Sequence, residues 1–184
     1  MEAKQFYDIK FASDIHVSGQ YAYFTLKYIK NDEYHSVIKV LNRNGEMKQV
    51  TFGENERSPK IFDNKLYYVK YGKDSENLFV VENLSEEKLV ASFSKIADYT
   101  VINGNVYVIA TEASDNKLPF VTSDIKYRFN GRGLIRQFSA LYLIGDAIKK
   151  IYGGHFDVAG IAHNSKKIVI STTENSNDYG LADL

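Results

Sequence analysis

VINGNVYVIAT, at residues 101–111, contains an apolar pair, an Asn-Gly turn and a run of strand-forming residues. The same order recurs as VSGQYAYFTL at 17–26, IFDNKLYYVKY at 61–71 and IAHNSKKIVIST at 161–172. Asn-Gly, Asp-Asn and Ser-Gly pairs between apolar runs form tight hairpin turns because they tolerate positive φ. Each stretch therefore predicts two antiparallel strands joined by a turn.

Two further strands are predicted after the hairpin in each of the first three units. They lie at 36–41 and 48–52, at 77–82 and 88–93, and at 140–144 and 149–152. The equivalent apolar residues Val17, Ile61, Val101 and Ile161 are separated by 44, 40 and 60 residues. A period near 40–45 residues with four strands is typical of a propeller blade. The sequence therefore predicts an all-β, partial β-propeller, with a β-sandwich as the alternative.

The repeats predict about three and a half four-stranded antiparallel blades. A closed propeller ring needs about 4–8 blades, so this count predicts an incomplete ring. Their approximate bounds are 13–55, 56–95, 96–157 and 158–184, and the third contains an insertion at about 112–139. An incomplete ring leaves apolar surface unpaired on two faces. We therefore expect an N-terminal fragment of a longer protein, or closure by a second copy as a homo-oligomer.

Composition narrows the class of protein. The 184 residues are 44% hydrophobic, and 23 Lys and Arg balance 23 Asp and Glu, so no broad positive field is expected for nucleic acid or acidic membranes. No stretch approaches the roughly 20 apolar residues of a membrane span, and the N-terminus lacks the apolar run of a secretory signal. The chain has no cysteine. We expect a cytoplasmic protein that binds neither nucleic acid nor membrane.

The motifs of common catalytic sites are missing from the sequence. There is no Gly-x-Ser-x-Gly elbow for a serine hydrolase and no Gly-rich phosphate loop opening a helix. The histidines are His16, His35, His155 and His163. Their spacing matches no zinc motif. We therefore predict no catalytic residue, no cofactor and no metal site in this chain.

Paired carboxylates offer one alternative chemistry, because glycoside hydrolysis uses two of them and occurs on some propellers. The candidates are Glu54, Glu56, Asp63, Asp98, Asp124 and Asp157. Most of these lie beside predicted turns, where Asp and Glu are ordinarily solvated.

The insertion holds the candidate contact residues. Residues 118–138 read LPFVTSDIKYRFNGRGLIRQF, and the Asn-Gly pair at 130–131 predicts an extra hairpin. Arg128, Arg132 and Arg136 cluster on or near it. Guanidinium groups bind carboxylates through paired hydrogen bonds. The sequence therefore predicts a contact arm for a substrate or a partner domain, and the alternative is an exposed hairpin with solvated charges.

The segments IKYRFNGRG at 125–133 and SALYLI at 139–144 resemble the third blade of acylaminoacyl-peptidase-like members of the prolyl oligopeptidase family. HFDVAGIAHNSKKIVIS at 155–171 resembles a blade junction of that family, and the likeness covers nearly the whole chain. Two departures are Asn130, where the family often has Asp, and residues 163–166, which replace a usual Ser-Pro-Asp-Gly turn.

The resemblance implies an N-terminal propeller packed against a C-terminal α/β-hydrolase domain. That domain would carry a Ser-Asp-His triad beyond residue 184 and cleave short peptides or acyl-amino acids, while the propeller limits substrate access by size. The first hypothesis is thus a non-catalytic gating domain of a serine peptidase. The second is a free-standing propeller-like interaction module, and the third is an enzyme that uses paired carboxylates.

Overall fold

The computed structural model describes residues 9–51, 53–82, 86–112, 138–164 and 167–173, and every regular element in these ranges is a β-strand. Aromatic and β-branched residues fill these strands because they fit a pleated, half-buried surface. The described strands form three four-stranded sheets and one two-stranded hairpin. The chain divides into two compact units, Met1–Ser92 and Phe93–Leu184.

The first sheet is an antiparallel meander in which each strand pairs with the next along the chain. Its strands are β1 (Phe11–Ser18), β2 (Tyr21–Lys30), β3 (Glu33–Asn42) and β4 (Met47–Gln49). Asn31 and Asp32, which connect β2 to β3, have φ of 54° and 63°. Two-residue hairpin turns of this kind need positive φ at both positions, and Asn and Asp tolerate it.

The second sheet repeats this arrangement and completes the first unit. Its strands are β5 (Glu56–Phe62), β6 (Lys65–Tyr71), β7 (Glu76–Glu82) and β8 (Glu86–Phe93). Asp63 and Asn64 form the β5–β6 turn with φ of 47° and 60°. The core of the first unit lies between the two sheets and contains the buried residues Ile38, Val50, Leu66, Tyr68 and Val81.

The second unit contains the third sheet and the hairpin. The strands are β9 (Lys95–Ile102), β10 (Asn105–Thr111), β11 (Ala140–Ile144) and β12 (Ile148–Tyr152), followed by β13 (Val158–His163) and β14 (Ile168–Thr172). Residues 112–139 join β10 to β11, so the insertion takes the place in its sheet that Asn31 and Asp32 take in the first. The core here is Ile109, Leu141 and Val158.

The four-stranded antiparallel sheets confirm the predicted all-β propeller fold. Several strands differ in length from their predictions, and the strand predicted at 48–52 ends three residues early. The predicted strand at 48–52 is β4, which ends at Gln49. The Val50 N–H still donates to the Ile38 carbonyl at 3.1 Å, but the Ile38 N–H donates to Thr51 Oγ1 at 3.3 Å. A threonine side chain thus replaces a ladder bond, and the regular strand stops before it.

Candidate functional site

The site begins with the alternation of side chains along β3. Ile38 packs in the core of the first unit against the second sheet. Successive side chains of a strand point to opposite faces, so Ser36 and Tyr34 follow Ile38 on the same face. Tyr34 is 80% exposed, whereas Ser36 is buried. The layer between the two sheets therefore changes from apolar to polar and aromatic as it approaches the β2–β3 turn.

A cavity opens where this layer meets solvent. Its volume is about 350 Å³, and it is lined by Lys27, Tyr34, His35, Ser36, Asn55 and Tyr71. β2 and β3 supply the first four of these residues, whereas the other two come from the start and the end of the β5–β6 hairpin. The Tyr71 N–H donates to the Asn55 carbonyl at 2.9 Å, which fixes that side of the cavity.

Two carboxylates, Glu54 and Glu76, pair with charged side chains near the cavity. Glu54 lies 3.5 Å from Lys30 Nζ, and its other oxygen lies 3.1 Å from His35 Nδ1. The His35 ring stacks on Tyr28 with 5.7 Å between centroids. Glu54, one of the six carboxylates predicted from the sequence, is thus part of a surface ion-pair cluster.

The second ion pair supports the Tyr71 ring. Arg57 Nη2 lies 2.6 Å from Glu76 Oε2, and the Arg57 guanidinium lies 5.2 Å from the centre of the Tyr71 ring. Cations bind the faces of aromatic rings, so Arg57 restrains this ring while its charge is balanced by Glu76. The Tyr71 side of the cavity is therefore restrained by Arg57.

Glu56, the second predicted carboxylate, is fully buried next to this region. Thr51 Oγ1 donates to its Oε2, and the Gly53 N–H donates to its Oε1 at 3.1 Å. Burial raises the pKa of Glu56, while the Thr51 hydrogen bond and the charge of Lys70 act against that increase. Such an enclosed carboxyl links the chain between β4 and β5 to the core and cannot reach a bulky substrate.

The raised pKa of Glu56 predicts a pH-dependent stability. The folded chain keeps this proton to a higher pH than the unfolded chain, so the folded state loses stability as pH rises through the titration. Glu56→Gln removes this dependence. We expect the unfolding free energy of the variant, minus that of the wild type, to increase from pH 3 to pH 8 by about 1.4 kcal/mol per unit of raised pKa. Urea unfolding at several pH values measures it.

The matched control for this measurement is Glu33→Gln, because Glu33 is exposed at the start of β3. Its difference from the wild type gives the effect of the same Glu-to-Gln change at a side chain that is not buried. A difference for Glu56→Gln that stays flat or falls with rising pH would contradict the raised pKa.

Aspartates on the first strands link neighbouring sheets within each unit. Asp14 Oδ2 accepts hydrogen bonds from Thr25 Oγ1 at 2.9 Å and from the Ser58 N–H at 3.2 Å. Asp98 Oδ2 accepts the Ile161 N–H at 3.4 Å. Both aspartates lie three residues before the equivalent apolar position of their repeat. The predicted carboxylate Asp98 therefore binds a backbone N–H of the next sheet, as Asp14 does in the first repeat.

The remaining predicted carboxylates either lie away from the cavity or fall outside the residues that the structure describes. Asp157 Oδ1 accepts the Ser139 N–H at 3.2 Å, and the Asp157 N–H donates to Thr173 Oγ1 at 2.9 Å. Asp63 lies in the β5–β6 turn. Asp124 falls outside the described residues. The carboxylates that the structure describes thus have roles in turns, ion pairs and backbone contacts.

The three arginines of the predicted contact arm, Arg128, Arg132 and Arg136, also lie outside the described residues. Within the described ranges, no group of three or more His, Asp or Glu side chains could hold a metal ion. Burial lowers the pKa of His16, whose ring lies 6.2 Å from that of Phe62. The described residues contain no helix that is long and apolar enough to cross a membrane.

The cavity was missed by the sequence analysis. Tyr34 and Tyr71 belong to different sheets, and no local motif joins them. Their side chains come together only because of the register of β3 and the packing of the first sheet against the second. The signal that was available is the Tyr34, Ser36, Ile38 alternation, which marks the end of a core face but not what lies opposite.

Consecutive four-stranded antiparallel meanders, each about one repeat long, define this chain as a β-propeller. The acylaminoacyl-peptidase N-terminal beta-propeller domain family matches residues 25–184. The chain therefore belongs to that family. No curated protein matches the sequence at a significant level.

Solved structures show the same fold at low sequence identity. The acylaminoacyl peptidase of Pyrococcus horikoshii is 14% identical with a TM-score of 0.68, over 91% of this chain and 29% of that one. An acylaminoacyl peptidase in complex with Z-Gly-Gly-Phe-chloromethyl ketone is 15% identical with a TM-score of 0.70, over 92% and 29%. The chain thus spans under a third of the length of these peptidases.

A third similar structure is a propeller domain alone. The β-propeller domain of the Trilobed protease from Pyrococcus furiosus, which has an open velcro topology, is 10% identical with a TM-score of 0.52. The match covers 94% of this chain and 70% of that domain.

Proposed function

We propose that this chain is the non-catalytic propeller domain of a serine peptidase that cleaves short peptides or acyl-amino acids. The observation that carries the proposal is the family match over residues 25–184. Similar peptidases are more than three times as long as the part that this chain matches, since that part is 29% of their length. The remainder has room for the C-terminal α/β-hydrolase domain that the sequence resemblance implies.

In this proposal the propeller limits substrate access by size. Its blades are stiff antiparallel sheets with buried cores, and neighbouring first strands are joined by side-chain bonds to backbone amides. A rigid ring next to an active site admits a short extended peptide and excludes a folded protein. In this proposal Arg128, Arg132 and Arg136 contact the substrate or the hydrolase domain, and the whole protein acts in the cytoplasm.

The proposal is tested on the natural polypeptide. An antibody raised against this chain is used to isolate the polypeptide from its source cells, and the product is treated with a fluorophosphonate probe that labels reactive serines. We expect a labelled band several-fold larger than the 20.9 kDa of this chain, together with hydrolysis of acetyl-alanine p-nitroanilide. An unlabelled band of 20.9 kDa would refute the proposal and support a free-standing interaction module.

The gating role needs a separate measurement on the isolated polypeptide. We expect cleavage of a short acylated peptide and no cleavage of a folded protein that contains the same sequence in an exposed loop. Heat-unfolding that protein and trimming it to short fragments should restore cleavage. Equal rates on the short peptide and the folded protein would contradict gating while leaving the peptidase activity intact.

A further inference from the structure

The cavity between the first two sheets has the composition of a small binding site. Its volume of about 350 Å³ is at the lower end of the range of ligand pockets, which is roughly 300–1,000 Å³. A space of this size holds one amino-acid residue rather than a whole peptide. Tyr34 and Tyr71 give it aromatic walls, and both are substantially exposed, at 80% and 48%.

Three polar side chains at the cavity have no partner in the described part of the chain. The Ser36 hydroxyl and the Asn55 amide make no side-chain hydrogen bond there. Both groups can donate to and accept from a ligand that enters the cavity. Lys27 lies opposite Ser36 in the β2–β3 pairing and forms no ion pair with any described carboxylate.

Lys27 is the lysine among the residues that line the cavity, and none of these residues is a carboxylate. Lys30 and Arg57, which lie nearby, are each within 4 Å of a carboxylate, at 3.5 and 2.6 Å from Glu54 and Glu76. A ligand that complements this arrangement has an apolar or aromatic body for the tyrosine walls, a carboxylate for Lys27 and hydrogen-bonding groups for Ser36 and Asn55.

We infer that this cavity binds the C-terminal residue of a peptide, with its side chain between Tyr34 and Tyr71 and its terminal carboxylate at Lys27. The peptide bond of that residue lies within reach of Ser36 and Asn55, which have complementary donors and acceptors. Aromatic C-terminal residues bind more tightly than small ones because ring contacts with tyrosine add to area burial. This inference does not depend on the chain being part of a peptidase.

The test measures binding of acetyl-Ala-Ala-Phe to the complete chain by isothermal titration calorimetry. Two matched ligands separate the contributions: acetyl-Ala-Ala-Phe amide lacks the carboxylate, and acetyl-Ala-Ala-Gly lacks the ring. We expect the free acid to bind best and each matched ligand to bind about fivefold or more weakly, as the loss of one aromatic contact or one charge-assisted contact predicts.

Variants then locate the site. Tyr34→Ala changes an exposed side chain, so the fold is retained, and it should weaken binding of the free acid about fivefold. Lys27→Met should weaken the free acid and leave the amide unchanged. The matched controls are Tyr21→Ala and Lys48→Met, which change exposed residues of the same sheet that do not line the cavity.

The outcomes are decisive in each direction. Selective loss of binding in the two cavity variants, with the controls unchanged, supports the site. No binding of the free acid at millimolar concentration, equal binding of acid and amide, or equal effects of cavity and control variants would overturn it. The fluorophosphonate result is unaffected by any of these, so failure here is separate from failure of the proposed peptidase role.

Discussion

Ile38→Ala is expected to lower the free energy of unfolding of this chain by about 2–5 kcal/mol, the usual cost of removing such a side chain from a packed core. Ile38 is fully buried and packs between the first two sheets with Leu66 and Tyr68. The loss combines the apolar surface no longer buried with the cavity that a rigid sheet pair does not refill. Because domains are stable by only about 5–15 kcal/mol, the effect is a large fraction of the total.

Urea unfolding followed by tyrosine fluorescence measures this effect, and two further variants give it a scale. Ile38→Val removes one methyl group and should cost about 0.5–1.5 kcal/mol. Ile15→Ala makes the same chemical change as Ile38→Ala at a side chain that is 66% exposed, and should cost less than about 0.5 kcal/mol. Equal losses for Ile38→Ala and Ile15→Ala would show that the layer between the sheets is not a packed core.

The hairpins of this fold were predictable because their chemistry is local. Asp63, Asn64 and Asn103 have positive φ in the structure, and these residue types tolerate that conformation better than most others. The strands between such turns then follow from runs of aromatic and β-branched residues. Repetition of this pattern at nearly constant spacing was sufficient to predict a propeller rather than a collection of hairpins.

The links between sheets were only partly accessible from the sequence. Asp14 and Asp98 occupy the same place in their repeats, three residues before Val17 and Val101, and this could have been noticed as a repeated aspartate. Their backbone partners could not, because an N–H group has no sequence signature. The second repeat has Ser58 at this position, and its N–H is one of those that Asp14 binds.

The surroundings of the cavity, where Glu56, Arg57 and Glu76 lie, could not be predicted from the sequence for a similar reason. Burial of Glu56 and the ion pair of Arg57 with Glu76 both depend on how two sheets pack, and charged residues beside turns are solvated in most proteins. The sequence interpretation therefore named Glu56 among six candidate carboxylates, most of them beside predicted turns, and did not predict its burial. In the structure Glu56 is the first residue of β5, and its carboxylate accepts hydrogen bonds from Thr51 and from the Gly53 N–H.

Gly153→Ala is expected to destabilise the second unit by roughly 2–5 kcal/mol, from a strained backbone and an overpacked contact together. Gly153 follows β12 with a φ of 146°, a conformation that residues with a Cβ rarely adopt. An added Cβ would lie 2.5 Å from the Ala140 Cβ and 3.1 Å from the Ala140 Cα. Neither neighbour is the end of a flexible side chain, so the backbone itself would have to move.

Gly145→Ala is the matched control, because Gly145 lies in the β11–β12 turn of the same sheet and an added Cβ there would have no atom within 4 Å. Its unfolding free energy should stay within about 0.5 kcal/mol of the wild type. Thermal and urea unfolding of both variants gives the comparison. Ala140 is the first residue of β11, so this close approach lies where the start of β11 meets the end of β12. A Gly153→Ala variant as stable as Gly145→Ala would contradict tight packing of Gly153 against Ala140.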